Sequence, residues 1–117
     1  MKIEQYTDYE LIALLTASQQ SPEQVQAVWR EFISRFEYMV FITVRISFRG
    51  LALNFKPTIA QVGEIVEEIF ARLSEDNFKL IQESGCQPGA NIEIVLQKMA
   101  FEVVLEYLNK VGDRKPV

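Results

Sequence analysis

Ile59-Ala60-Gln61-Val62-Gly63-Glu64-Ile65-Val66-Glu67-Glu68-Ile69-Phe70-Ala71-Arg72-Leu73 is the stretch that decides the fold class. Its apolar residues Ile59, Val62, Ile65, Val66, Ile69, Phe70 and Leu73 recur at helical spacing, so they share one face of an α-helix and predict that face to be buried. Thr58 and Gln61 stand three apart at its start, the spacing of a capping box in which each side chain satisfies a free backbone N–H.

The neighbouring segments give the same signal. On the N-terminal side, Ser21-Pro22-Glu23-Gln24 combines a cap residue with proline at the first helical position and glutamine at the third. Val25, Val28, Trp29, Phe32, Phe36, Met39 and Val40 then follow at amphipathic spacing. Ile42-Thr43-Val44-Arg45-Ile46-Ser47-Phe48 alternates strictly, which also suits a strand. It is read as helix, because no turn separates it from what precedes and no second strand pattern exists to pair with it. Gly50 predicts the stop, and residues 51–57 a loop. Further back, Thr7 and Glu10 form another capping box ahead of Leu11, Ile12, Leu14 and Leu15, a helix that fades in Ser18-Gln19-Gln20.

Towards the C-terminus, a separate short helix is predicted around Phe78, Leu80 and Ile81. Turn residues follow in Ser84-Gly85-Cys86-Gln87-Pro88-Gly89. Asn91 caps a last helix bearing Ile92, Val95, Leu96, Met99, Val103, Tyr107 and Leu108, which ends at Gly112. The expectation is a single all-α domain over residues 1–117, a compact bundle of four to five helices, with frayed ends at 1–6 and 112–117.

Composition bounds the function. The chain is 49% hydrophobic and 24% charged, ordinary values for a globular domain and not for a disordered one. A net charge of −4 argues against a self-sufficient nucleic-acid binder, whose affinity rests on neutralising phosphates. The sequence contains no histidine, which removes the commonest general base, the usual zinc ligand and every Ser-His or Cys-His nucleophile pair. No catalytic constellation, metal site or cofactor motif is expected, and the chain is read as a binding domain and not an enzyme. Cys86 is the one cysteine, so no intramolecular disulfide can form, which suits a reducing compartment. Met1-Lys2-Ile3-Glu4 opens no apolar signal segment and no stretch is long enough to span a bilayer, so a cytoplasmic location is expected.

Several segments in order resemble region 2 of bacterial RNA polymerase sigma factors of the extracytoplasmic-function type. Asp8-Tyr9-Glu10-Leu11-Ile12 is similar to the family's opening helix, and Val28-Trp29-Arg30-Glu31-Phe32 through Arg35-Phe36 to its aromatic helix. Val62 to Leu73 resembles the acidic helix, where the family carries acidic–acidic–aliphatic–aliphatic–Gln–Glu–aliphatic–Phe and this chain has Glu67 at the glutamine place. Val95-Leu96-Gln97-Lys98-Met99-Ala100 is similar to the final helix. The resemblance spans about residues 8 to 110. It implies docking on the coiled coil of the polymerase clamp, or on a regulator of the polymerase, through Glu64, Glu67, Glu68 and Arg72. The family's final helix has tryptophan where this chain has Val95, asparagine where it has Glu102, and an arginine run where it has Asn109-Lys110. Those positions serve promoter recognition and opening in the family, and a glutamate among phosphates costs affinity. The sequence also stops where the family would continue to its second DNA-binding domain, so independent promoter reading is not expected. The implied role is therefore a co-sigma subunit or other transcription-associated protein that meets promoter DNA only within a larger complex, if at all.

Each candidate also has a plainer reading. Glu64 and Glu68 stand four apart, where like charges repel by a few tenths of a kcal/mol, so they either face solvent or await a basic partner. Arg45, Arg49, Lys98 and Lys110 are the candidates for nucleic-acid contact, and Arg45 and Arg49 also complement a helix C-terminus. Trp29, Phe32, Phe36, Phe41 and Phe48 sit at core spacing, while Tyr38 and Tyr107 are undetermined. The competing expectation is an adaptor or homodimer with a sigma-like fold and no polymerase or DNA binding, its interface lined by Phe41, Ile46 and Val104.

Overall fold

A computed structural model describes residues 2–16, 21–52, 54–84 and 92–113. Four α-helices run in chain order: α1 (Asp8–Thr16), α2 (Pro22–Leu51), α3 (Ile59–Ser84) and α4 (Ile92–Asp113), preceded by a 3-10 turn at Ile3–Gln5. No strand occurs among the described residues. The molecule measures 55 × 28 × 24 Å, a length set by α2, which at 30 residues spans about 45 Å.

The starts form where the cap chemistry places them. Glu10 donates its backbone N–H to Thr7 Oγ1 (3.1 Å) and accepts that of Thr7 at Oε1 (2.8 Å). Thr58 and Gln61 make the same reciprocal pair at 2.8 and 3.1 Å. Ser21 Oγ accepts from the Gln24 N–H at 3.2 Å, with Pro22 at the first helical position. Each such cap contributes about 1 kcal/mol to its helix. The Asn91 cap, Cys86 and the turn around it lie outside the described residues.

The alternating segment Ile42–Phe48 is helical, and α2 runs one residue past Gly50 to Leu51. Its polar residues are satisfied inside the helix: Thr43 Oγ1 donates to the Met39 carbonyl (2.8 Å) and Ser47 Oγ to that of Thr43 (2.9 Å). Ser47 is thereby buried at no hydrogen-bonding cost. The buried residues Val28, Phe32, Phe36, Val40, Val44 and Phe48 fall four apart throughout α2. Each four-residue step turns about 40° around the helix, so the buried ridge winds round α2. That winding lets one helix pack against the 3-10 turn, α1, α3 and α4.

α3 lays Val62, Ile65, Val66, Ile69, Phe70 and Leu73 into the core, and α4 contributes Ile92, Leu96, Met99, Ala100, Val103 and Val104. Two aromatic groups brace the ends. Trp29 stacks on Phe32 (centroids 5.2 Å) and meets Phe70 and Phe78, while about 28 Å along α2 Phe48 packs with Phe55 and Tyr107. Phe32, Phe36 and Phe48 are thus core, and Trp29 and Phe41 half-buried.

One segment differs from the sequence expectation. The separate short helix around Phe78–Ile81 is absorbed into α3, which continues to Ser84 through positive backbone angles at Asp76 (φ 53°) and Phe78 (φ 61°). A positive φ is unfavourable for a bulky side chain, and Phe78 holds it while packing against Trp29 at 5.0 Å. Towards the N-terminus, the 3-10 turn and α1 are joined to α2 through Arg35. The Arg35 guanidinium donates to the Asp8 carboxylate (3.0 Å), to that of Glu31 (2.8 Å) and to the carbonyls of Ile3 (3.3 Å) and Glu4 (3.2 Å).

Candidate functional site

α3 exposes its polar residues on two flanks. Glu64, Glu68 and Arg72 point towards α4, since residues four apart fall on one side of a helix. Glu67 is rotated about 100° from Glu68 and lies on the flank facing α2.

On the α4 flank the charges are engaged with one another. Arg72 Nε donates to Glu68 Oε1 (2.9 Å) and its Nη2 to Glu106 Oε2 on α4 (2.6 Å). The hydrogen bond from Arg72, and then its positive charge, hold the Glu106 carboxyl below its ordinary range. The same two carboxylates, Glu106 first, push the guanidinium up. Lys110 and Glu64 complete this shallow cleft over Val103 and Tyr107. Tyr107 is anchored in turn, its Oη accepting from the Gln61 side-chain amide at 2.9 Å. Arg72 is therefore a bridge between α3 and α4, and Glu64 stands at the edge of the network with no ion pair among the described residues.

On the α2 flank lies a groove of about 560 Å³. Trp29, Ile33 and Phe41 from α2 and Ile59, Val66 and Phe70 from α3 make its apolar walls. Gly63, Ala71 and Ser74 keep it open, and a Cβ built on Gly63 would meet nothing within 4 Å. Glu37 and Glu67 line it from opposite helices, both exposed and neither ion-paired among the described residues. Ile59, at its end, is 80% exposed, and Tyr38 on the outer side of α2 is 75% exposed.

The four cationic candidates separate. Arg45 and Arg49 stay together at the end of α2, around a concavity of about 290 Å³, where Lys56 joins them. Lys98 lies on the outward face of α4 beside Ile94, Phe101 and Glu102, and Lys110 belongs to the α4 cleft. Sequence reasoning passed over Lys56 because it sits in a loop whose path no periodicity reveals. Among the residues expected at an interface, Ile46 is exposed and Phe41 half-buried, but Val104 is wholly buried in the core and is unavailable to a partner. Exposed apolar residues of α4 that the sequence reading did not single out are Ile94, Phe101 and Leu105.

Among the described residues no group of three or more cysteine or carboxylate side chains is placed to hold a metal ion, and no helix is long and apolar enough to cross a membrane. Comparison with family models, curated proteins and solved structures finds no match. The described surface carries an apolar groove edged by carboxylates and a small concavity ringed by cations.

Proposed function

We propose that this chain is a non-catalytic, sigma-factor-like binding domain whose α3 docks on the clamp coiled coil of RNA polymerase, or on a regulator of the polymerase. The observation that carries the reading is the α2–α3 groove, apolar within and edged by Glu37 and Glu67, carboxylates that make no ion pair among the described residues. An amphipathic helix with basic flanks suits it, because the apolar face fills the groove while lysine or arginine side chains meet the carboxylates. The resemblance of Val62–Leu73 to the family's clamp-binding helix names the partner. Glu64 stands at the edge of the α4 flank, and Glu68 with Arg72 contributes through the network that fixes α3 against α4. Contact with promoter DNA belongs, on this reading, to the assembled complex.

Titration of the folded chain with the isolated clamp coiled coil tests this directly. Saturable binding is expected, weakened at least tenfold by Glu64→Lys/Glu67→Lys and by Gly63→Leu, whose side chain would enter the groove from a position where an added Cβ meets nothing within 4 Å. Absence of binding by wild-type chain sinks the polymerase reading.

One observation favours a second reading, self-association without polymerase: Ile94, Phe101 and Leu105 form an exposed apolar stripe along α4 at heptad-like spacing. Light scattering separates the two, since a stable dimer broken by Phe101→Glu, with no affinity for the clamp, supports the second.

A further inference from the structure

The concavity at the end of α2 collects positive charge that the fold does not use. Arg45 and Arg49, one turn apart, and Lys56 from the following loop are all exposed, and none makes an ion pair among the described residues. None of the described residues lining the concavity is acidic. This concentration occurs in a chain of net charge −4. The carbonyl end of α2 accounts for only part of it, because a helix C-terminus carries about half an elementary charge and one cation in the last turn offsets it.

The position of Lys56 is built. Phe55 donates its backbone N–H to the Ala52 carbonyl (3.0 Å), and its ring stacks on the buried Phe48 with centroids 5.5 Å apart and planes 22° from parallel. The loop is thereby held against the core, and Lys56 returns to the side of α2 that bears Arg45 and Arg49. Pro57 closes the concavity just before the α3 cap residue Thr58, so the start of α3 lies at its edge. Three like charges held around one space repel, and an anion seated among them removes that repulsion while accepting charge-assisted hydrogen bonds.

We propose that this concavity binds a small phosphate-bearing ligand, a phosphomonoester dianion held by Arg45, Arg49 and Lys56. Two arginines supply planar forks matched to phosphate oxygens, and the lysine a point charge. A small ligand fits better than a nucleic-acid strand for two reasons. The volume of about 290 Å³ lies at the lower end of small-molecule sites. The cations also form no track, since Lys98 and Lys110 lie at separate surfaces among carboxylates. This site is independent of the α2–α3 groove and stands whether or not the chain binds polymerase.

The test is an NMR titration of the full chain with inorganic phosphate, with adenosine monophosphate and with a short thymidine oligonucleotide. Saturable shifts confined to residues 45–56 are expected with phosphate and the monophosphate. Binding should weaken at least tenfold in Arg45→Gln/Arg49→Gln and severalfold in Lys56→Gln, and stay unchanged in Lys98→Gln. Circular dichroism should show the wild-type helix content in each, because the replaced side chains are exposed. Failure to saturate by about 10 mM, or binding indifferent to Lys56→Gln, overturns the proposal. So does an oligonucleotide that binds more tightly than the monophosphate with shifts reaching Lys98, which assigns the cations to nucleic acid.

Discussion

The two flanks of α3 carry the same kind of residue to different ends. Towards α4, Glu68 and Glu106 share the Arg72 guanidinium, and Lys110 stands beside them. Arg72 pairs two of the carboxylates there within the molecule and joins two helices. Towards α2, Glu37 and Glu67 line the groove from opposite helices across apolar side chains, with no cation in its lining among the described residues. Glu67 and Glu68 are adjacent in sequence, yet one lies on each flank. What a surface carboxylate does is thus decided by the helix that packs beside it, and a turn of about 100° between neighbours suffices to change it.

Removing the foundation common to both flanks should have the largest effect. Ile69 is fully buried between them, and Ile69→Ala is expected to cost about 3 kcal/mol in urea unfolding, deforming groove and network together. Thr58→Ala is expected to cost about 1 kcal/mol. It removes one half of the α3 capping box, and the Gln61–Tyr107 hydrogen-bond signature should weaken with it, loosening the α4 flank first. Gly63→Ala should act the opposite way on the α2 flank. The added methyl meets open space in a helix, so a gain of about 0.5–1 kcal/mol is expected in thermal or urea unfolding.

The smallest effect is in the pH dependence. The Glu106 carboxyl is held low in the folded chain by Arg72, so its contribution is fully present above its unfolded value, near the ordinary glutamate range of about 4.3. That contribution is lost as pH falls through the lower folded value. Arg72→Gln should return Glu106 to the ordinary range in an NMR titration and flatten the acid side of the stability curve. Glu67→Gln, on the unpaired flank, should change stability at neutral pH by no more than about 0.5 kcal/mol.

Much of the fold was legible because its signals are local. The stripes Val62–Leu73 and Val28–Phe48 and the pairs Thr7/Glu10 and Thr58/Gln61 all act within a turn or two of one helix, where spacing alone sets which side chains meet. Periodicity says which face is buried and leaves open what covers it. Arg35 reaches groups 27 to 32 residues away, and Arg72 reaches Glu106 across 34, so neither role is visible in sequence. The same limit made Val104 look like an edge residue when both of its sides are covered. Glu64, Glu67, Glu68 and Arg72 were legible as one charged helix segment, but their division between flanks needed α2 and α4 in place. Lys56 joined Arg45 and Arg49 only through the stacking of Phe55 on Phe48.

The central claim is that the α2 flank of α3 is the docking surface and the α4 flank an internal brace. It is tested most directly by mapping backbone amide shifts of the labelled chain as the polymerase clamp coiled coil is added. The expected result is a saturable set of changes centred on Gly63, Glu67 and Ala71 of α3 and Glu37 and Phe41 of α2, with the Arg72–Glu106 pair intact. Changes confined to Ile94, Phe101 and Leu105, or no changes at all, would contradict it.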